Sequence, residues 1–317
     1  MEEQFKVVLV TGGAGFLGSH LCKELIARGD HVICVDNLQT GSLSNIQELL
    51  PLPNFEFYQF DIIEKRQMVG IDEIYHLACP ASPPAYQADP IHTMKTNVIG
   101  SINMLEVARE NNAKILLTST SEVYGDPEQH PQTEEYKGNV NTIGPRACYD
   151  EGKRAAETLF FDYMRTYGVE IKVARIFNTY GPGMDPLDGR VVSNFINQAL
   201  RGEALTLYGN GHQTRSFCYV SDTINGLIKL MDKDGVIGPL NIGNRTEYMM
   251  TEIAAKVLLY TNSDYSLIYK DLPEDDPKKR QPDTKLANEL LGWEAEVPLC
   301  VGLKQTIEYF KNLEGNP

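Results

Sequence analysis

Two side chains in the middle of the chain have the types and the spacing to move a proton. They are Tyr149 and Lys153, four residues apart in Tyr149-Asp-Glu-Gly-Lys153. In a helix, positions i and i+4 lie on one face, so a phenol and an ammonium would share one environment. A nearby positive charge favours phenolate and lowers the tyrosine pKa. A free tyrosine titrates near ~10, whereas a base working at neutral pH needs a value nearer ~7. That difference is about 4 kcal/mol at ~1.4 kcal/mol per unit. The same spacing is common on plain helix surfaces, so the pair takes its meaning from what surrounds it.

The elements that would carry the pair alternate in type. Short apolar runs at 6–10, 31–35, 55–59, 72–77, 114–119 and 170–175 predict strands, and the stretches near 15–28, 91–111 and 148–167 predict helices. Runs such as Val7-Val8-Leu9-Val10 have no polar alternation, which suits strands covered on both faces. Strands alternating with helices predict an α/β fold with a Rossmann-type, doubly wound parallel sheet. After about residue 178, Gly and Pro punctuate shorter elements, as in Gly181-Pro182-Gly183 and Gly209-Asn210-Gly211. The expected organisation is a dinucleotide-binding core over 1–178 and a smaller substrate-binding lobe, mainly 179–317, interleaved with it.

Thr11-Gly12-Gly13-Ala14-Gly15-Phe16-Leu17-Gly18 follows the first strand and opens the first helix. Gly12, Gly15 and Gly18 give GxxGxxG spacing. One glycine permits the tight turn, one lets a pyrophosphate approach the backbone, and one lets helix pack on strand. The anion would sit at the helix N-terminus, on free N–H groups and the positive end of the dipole. Asp36 ends the second strand, where a carboxylate accepts from both ribose hydroxyls and repels a 2′-phosphate. No arginine follows it, so NAD is expected rather than NADP. A cationic nicotinamide ring and Lys153 would then be the two charges that lower the Tyr149 phenol.

The bulk numbers narrow the partners. A formal net charge of −14 argues against nucleic acid and against an anionic membrane surface. The six cysteines (22, 34, 79, 148, 218 and 300) have no paired spacing and read as reduced thiols. No apolar run reaches 18 residues, and the first strand begins almost at once, so a cytoplasmic protein is expected. His31 and the cysteines lack metal-ligand spacing, His76 reads as a core histidine, and no metal is expected.

Several stretches together are more specific than any single motif. They are Ala78-Cys-Pro-Ala-Ser-Pro-Pro84, Thr118-Ser-Thr-Ser-Glu-Val-Tyr-Gly-Asp126, Cys148-Tyr-Asp-Glu-Gly-Lys-Arg154, Ala174-Arg-Ile-Phe-Asn-Thr-Tyr-Gly-Pro182, Asp188-Gly-Arg-Val-Val-Ser-Asn-Phe195 and Gln213-Thr-Arg-Ser-Phe217. Over essentially its whole length the chain resembles the extended short-chain dehydrogenase/reductase superfamily, and these stretches resemble its UDP-glucuronate decarboxylases (UDP-xylose synthases).

That resemblance implies a catalytic set of Tyr149, Lys153, Thr120, Ser121, Glu122 and Arg280. Around NAD it places Phe16 and Leu17 of the glycine turn, Asn37, Thr40 and Gly41 after the second strand, and Asp61 and Ile62 after the third. Leu77, Cys79, Thr96 and Ser119 complete that list beside Tyr149 and Lys153. For a UDP-sugar it implies Pro80, Lys95, Asn178, Arg190, Asn194, Tyr208 and Arg215, with Glu122 and Arg280. Arginine suits a diphosphate or carboxylate because its planar fork bonds two oxygens at once; Arg175 and Arg201 read as structural.

The segment Thr120-Ser121-Glu122 separates the relatives. Sugar-nucleotide 4,6-dehydratases carry an Asp where this chain has Ser121, and a serine is no strong general acid. Beside a substrate carboxylate, Glu122 is expected to have a raised pKa, suited to donating a proton. A UDP-sugar 4-epimerase, needing only Tyr149, Lys153 and Thr120, and a non-catalytic NAD-binding scaffold are the competing expectations. Relatives usually read Gly-Pro-Arg-Met where this chain has Gly181-Pro-Gly-Met184, which removes a cation on the cofactor side or at a subunit contact. They also read Asn-Pro-Ile-Gly where this chain has Asn141-Thr-Ile-Gly144. The superfamily pattern further implies a homodimer, joined through a four-helix bundle made by the helices near 91–111 and 148–167. Their apolar residues Met104, Leu105, Val107, Leu159, Phe160 and Tyr163 are shared between that bundle and the sheet.

Overall fold

The computed structural model describes residues 5–264, 266–272 and 279–314. The Glu274-Asp-Asp276 run and Lys278, a charged stretch of the sequence just before Arg280, lie outside them. The first half gives β1 (Val7–Thr11), α1 (Phe16–Ala27), β2 (His31–Asp36), β3 (Phe55–Gln59), β4 (Glu73–His76), α2 (Pro83–Ala88), α3 (Pro90–Lys95), α4 (Ser101–Asn111), β5 (Lys114–Thr120), α5 (Ala147–Tyr167) and β6 (Ile171–Ile176). Every strand read from the sequence is present within a residue or two.

β1 shows why its sequence lacks alternation. Val8 and Val10 face one apolar core and Leu9 faces the other, and all three are fully buried. Leu21 and Leu25 of α1 close the first core; Met104, Leu105 and Val107 of α4 and Phe160 of α5 close the second. These last four residues therefore cover the sheet within one chain, while Leu159 and Tyr163 are only half-buried.

The helix expected over 91–111 is interrupted. Between α3 and α4 the backbone widens into a π turn over Thr96–Gly100, a distortion typical of functional sites. Gly100 allows it: a Cβ there would lie 2.5 Å from Ile62 Cδ1. α5 packs on this turn through Gly152, whose Cβ would meet Asn97 Nδ2 at 2.7 Å. Along α5 the buried stripe Tyr149, Lys153, Ala156, Glu157, Phe160 has helical spacing, and Gly168 ends the helix at φ +72°.

The second half is built of shorter pieces: β7 (Thr179–Tyr180), α6 (Val191–Leu200), β8 (Leu205–Tyr208), β9 (Thr214–Ser216), β10 (Cys218–Tyr219), α7 (Val220–Asp232), β11 (Leu240–Ile242), β12 (Glu247–Met249), α8 (Met250–Thr261), β13 (Leu267–Lys270), β14 (Lys279–Arg280), α9 (Lys285–Leu291) and α10 (Leu299–Glu314). β11 returns to the main sheet, Leu240 opposite Ala174 and Ile242 opposite Ile176. The seven-stranded sheet runs β11-β6-β5-β4-β1-β2-β3, every pairing parallel. Among the described residues no helix is long and apolar enough to cross a membrane.

Candidate active site

The strand order reverses between β1 and β4, and open parallel sheets bind ligands at the carboxyl ends beside such a switch point. A cavity of about 1090 Å³ opens there. It is lined by the glycine turn after β1, residues 77–85 after β4, Thr118–Glu122 at the end of β5, Ile176–Tyr180 after β6, and parts of the smaller lobe.

The glycine turn has the geometry its spacing implies. Gly12 sits at φ +71° and its N–H donates to Val35 O at 2.7 Å. A Cβ on Gly18 would come within 2.1 Å of Gly12 O, so only glycine lets α1 press onto the turn. Gly15 caps α1 without a side-chain hydrogen bond, and the first turn carries no acid. The buried Asp36 accepts from Ala14 N at 3.0 Å and Leu38 N at 2.8 Å. Burial raises its pKa, against the pull of these backbone donors. An open helix N-terminus beside a close-packed glycine turn, with a carboxylate at the end of β2, fits a dinucleotide.

Phe16, Leu17, Asn37, Thr40, Ile62, Leu77, Cys79, Thr96 and Ser119 line the cavity as expected. Two expected cofactor residues stand behind it. Gly41 is needed because a Cβ would lie 2.8 Å from Asp36 Oδ2. Asp61 is braced by Asn37 Nδ2 at 2.8 Å and His92 Nε2 at 2.7 Å. Lys95, expected to reach a substrate, is exposed in the last turn of α3, and the residues lining the cavity do not include it.

Tyr149 and Lys153 do share one buried face of α5 and both line the cavity. Their electrostatics differ from expectation. Burial pushes the Tyr149 phenol well above its ordinary value; the Cys79, Glu122 and Asp150 charges add to that, and only a Thr120 hydrogen bond opposes it. Lys153 Nζ donates to Thr118 O at 3.0 Å, and burial lowers its own pKa. Burial dominates, so the phenol keeps its proton at neutral pH. Tyr149 stacks on Tyr86, with ring centroids 5.1 Å apart and 5° between planes. His76 is a core histidine, bonded to Thr11 Oγ1 at 2.9 Å and Ser101 Oγ at 3.2 Å. Burial and then the Lys153 charge hold it down to about 3, so it is neutral.

Glu122 lies between two guanidiniums. Both Arg280 terminal nitrogens donate to it, Nη1 to Oε1 at 2.8 Å and Nη2 to Oε2 at 2.7 Å, and Arg146 Nη2 donates to Oε1 at 2.9 Å. Burial alone would raise its pKa, but the two guanidiniums outweigh burial and hold the carboxyl below its ordinary range. Glu122 is thus an acceptor in the resting site. Arg146 was not read from the sequence; its one signal is a basic residue three positions before Tyr149.

In the smaller lobe Asn178, Arg190, Asn194, Tyr208 and Arg215 all line the same cavity, as does Pro80 on the core side. Arg190 pairs with Asp188 at 2.5 Å and lies over the Phe16 ring at 5.9 Å, which places it near the glycine turn. Arg215 is buried in β9, directly opposite Arg280 in β14.

A model of the NAD dependent epimerase/dehydratase family matches residues 8–243. The chain belongs to this family. It is 55% identical over 311 residues to UDP-glucuronic acid decarboxylase 6 of Arabidopsis thaliana, covering 98% of this chain and 90% of that one. It is 53% identical over 310 residues to UDP-glucuronic acid decarboxylase 1 of Xenopus tropicalis, covering 98% of this chain and 73% of the relative. Among solved structures it resembles UDP-glucuronic acid 4-epimerase of Bacillus cereus in complex with UDP-glucuronic acid and NAD. That likeness has a TM-score of 0.88 at 28% identity, over 97% of this chain and 99% of that one.

Within this family frame, the departure at Gly183 acquires a location. Gly183 lines the cavity at φ +86°, and a Cβ there would point to His20 Nε2 at 3.4 Å and Phe16 Cδ2 at 3.7 Å. A side chain at this position would start against α1. Arg175, read as structural, is so: its Nε and Nη2 bind Glu157 at 2.9 and 2.8 Å, and Glu157 accepts from Ser119 Oγ at 2.5 Å. Arg175→Met leaves Glu157 buried without its cation, a loss of roughly 3 kcal/mol. Urea unfolding should show it as a lowered midpoint with an unchanged slope.

Proposed function

We propose that the protein converts UDP-glucuronate to UDP-xylose and CO2, with NAD as its cofactor. The observation that carries this reading is Glu122 held ionised between Arg280 and Arg146, one residue after Ser121 and in the same cavity as Tyr149. The identity with decarboxylases over nearly the whole chain supports it. Tyr149, hydrogen-bonded to Thr120, takes the proton of the sugar C4′ hydroxyl. NAD, which the glycine turn and Asp36 would hold, would supply a reversible hydride acceptor for C4′ and the positive charge of its oxidised ring. With a ketone at C4′, the carboxylate is β to it; the carbon–carbon bond breaks, CO2 leaves, and the ketone holds the electron pair as an enolate. Ser121 offers no acid for the dehydration that a 4,6-dehydratase performs. Glu122, as an acceptor, orients the hydroxyl or water that protonates C5′. Arg190 and Arg215 are suited to the diphosphate.

Mass spectrometry of the products tests this. UDP-glucuronate should give UDP-xylose and CO2 with no net NADH. Unchanged UDP-glucuronate after long incubation rejects the reading, and NAD binding without turnover leaves the scaffold. UDP-galacturonate would assign the 4-epimerase activity, for which Tyr149, Lys153 and Thr120 suffice.

A homodimer through α4 and α5 belongs to the same proposal. Since Met104, Leu105, Val107 and Phe160 are used inside one chain, the half-buried Leu159 and Tyr163 and the exposed Ile99 and Tyr167 are available to it. Sedimentation at micromolar concentration should give twice the chain mass, and a monomer refutes it. Six free cysteines agree with a cytoplasmic location.

A further inference from the structure

We infer that Gln132 is a positioning residue: a buried amide that fixes the backbone beside Arg280 and so keeps the Arg280 guanidinium on Glu122. Gln132 is fully buried, although it lies in the irregular connection between Tyr124 and α5. A buried polar side chain needs partners, and those of Gln132 converge on the segment after Arg280. Its N–H donates to Gln281 O at 2.9 Å, its Oε1 accepts from Gln281 N at 2.9 Å, and its carbonyl accepts from Asp283 N at 2.8 Å. Its Nε2 donates to Gln129 O at 2.7 Å, which fixes the amide plane against its own turn.

Arg280 directly precedes this clamp and is held on its other side by the two-residue pairing of β14 with β9. That pairing is too short to define the direction of a long side chain by itself, and a bidentate fork tolerates little rotation. A second amide closes the strap. Asn241 Nδ2 donates to Gln132 O and Asp283 O, both at 3.0 Å, and its Oδ1 accepts from Tyr124 OH at 2.8 Å. Tyr124 stands two residues after Glu122, so the strap joins the two ends of the Glu122–Arg280 pair across 158 residues of chain. Neither amide lines the cavity; Gln132 acts through Arg280.

The assay rests on the decarboxylase reading, and the test separates the two. Steady-state rates with UDP-glucuronate are measured for wild type, Gln132→Met, Arg280→Lys and the double variant. Gln132→Met should lower kcat about tenfold and Arg280→Lys about a hundredfold; the double variant should fall within about twofold of Arg280→Lys alone, because both changes disable one device. Losses that multiply to about a thousandfold, or a Gln132→Met enzyme with wild-type kcat, overturn the inference. Gln132→Asn, one methylene shorter, provides a milder cut if the first variant does not fold. Failure of both to fold assigns Gln132 to folding and also overturns it. A wild-type protein that forms no UDP-xylose refutes the functional reading instead.

Discussion

Tyr149→Phe should lower turnover by about a thousandfold or more while leaving NAD binding within a few-fold of wild type. The phenyl ring keeps the stack on Tyr86 and the buried volume, so the fold has no reason to change. What disappears is the hydroxyl that Thr120 bonds, the group proposed above to take the proton of the sugar hydroxyl. A thousandfold corresponds to ~4 kcal/mol of barrier. The structure makes the requirement steeper than the sequence did: burial holds the phenol above its ordinary value, and Lys153 spends a hydrogen bond on Thr118 O. The fall in the tyrosine pKa must therefore arrive with the bound ligand. Calorimetry with NAD and a product assay separate binding from turnover. Residual turnover within tenfold of wild type would move the proton transfer to another group.

Much of the site was readable because local spacing carries it. The glycine turn, Asp36 and the Tyr149–Lys153 face depend on neighbours along the chain, and β1 and β2 announce themselves by apolar runs of four, Val7–Val10 and Val32–Val35. What escaped depends on distant partners. β11 has three residues, too few for a pattern, and finds its place only by pairing with β6. Lys95 has the right type and a nearby position, but the π turn that carries Thr96 and Asn97 inward leaves it facing out. Arg146 reaches Glu122 across 24 residues. The two cations that set the Glu122 charge in the protein itself were hidden for the same reason. A carboxyl facing a substrate carboxylate is driven up in pKa, and one clamped by two guanidiniums is driven down; only the fold places both Arg146 and Arg280 against it.

Arg280→Met is the second large effect expected, also about a thousandfold in kcat/KM. The variant removes both Arg280 bonds to Glu122 while keeping an unbranched side chain in the buried position. Glu122 then stays buried with Arg146 still beside it but without its larger cationic partner. Breaking one side of a buried ion cluster costs about 3 kcal/mol or more. The sign of the pH effect follows from linkage. In wild type the Glu122 pKa is depressed, so its contribution to stability is present above the unfolded-state value and is lost as pH falls through the folded value. Removing Arg280 raises the folded value, so Glu122 takes up its proton at higher pH. The acid limb of the kcat/KM profile should move up in pH relative to wild type, and acid unfolding should begin at higher pH. Loss of activity with an unmoved acid limb would mean that Arg280 serves substrate binding alone and that another group sets the Glu122 charge.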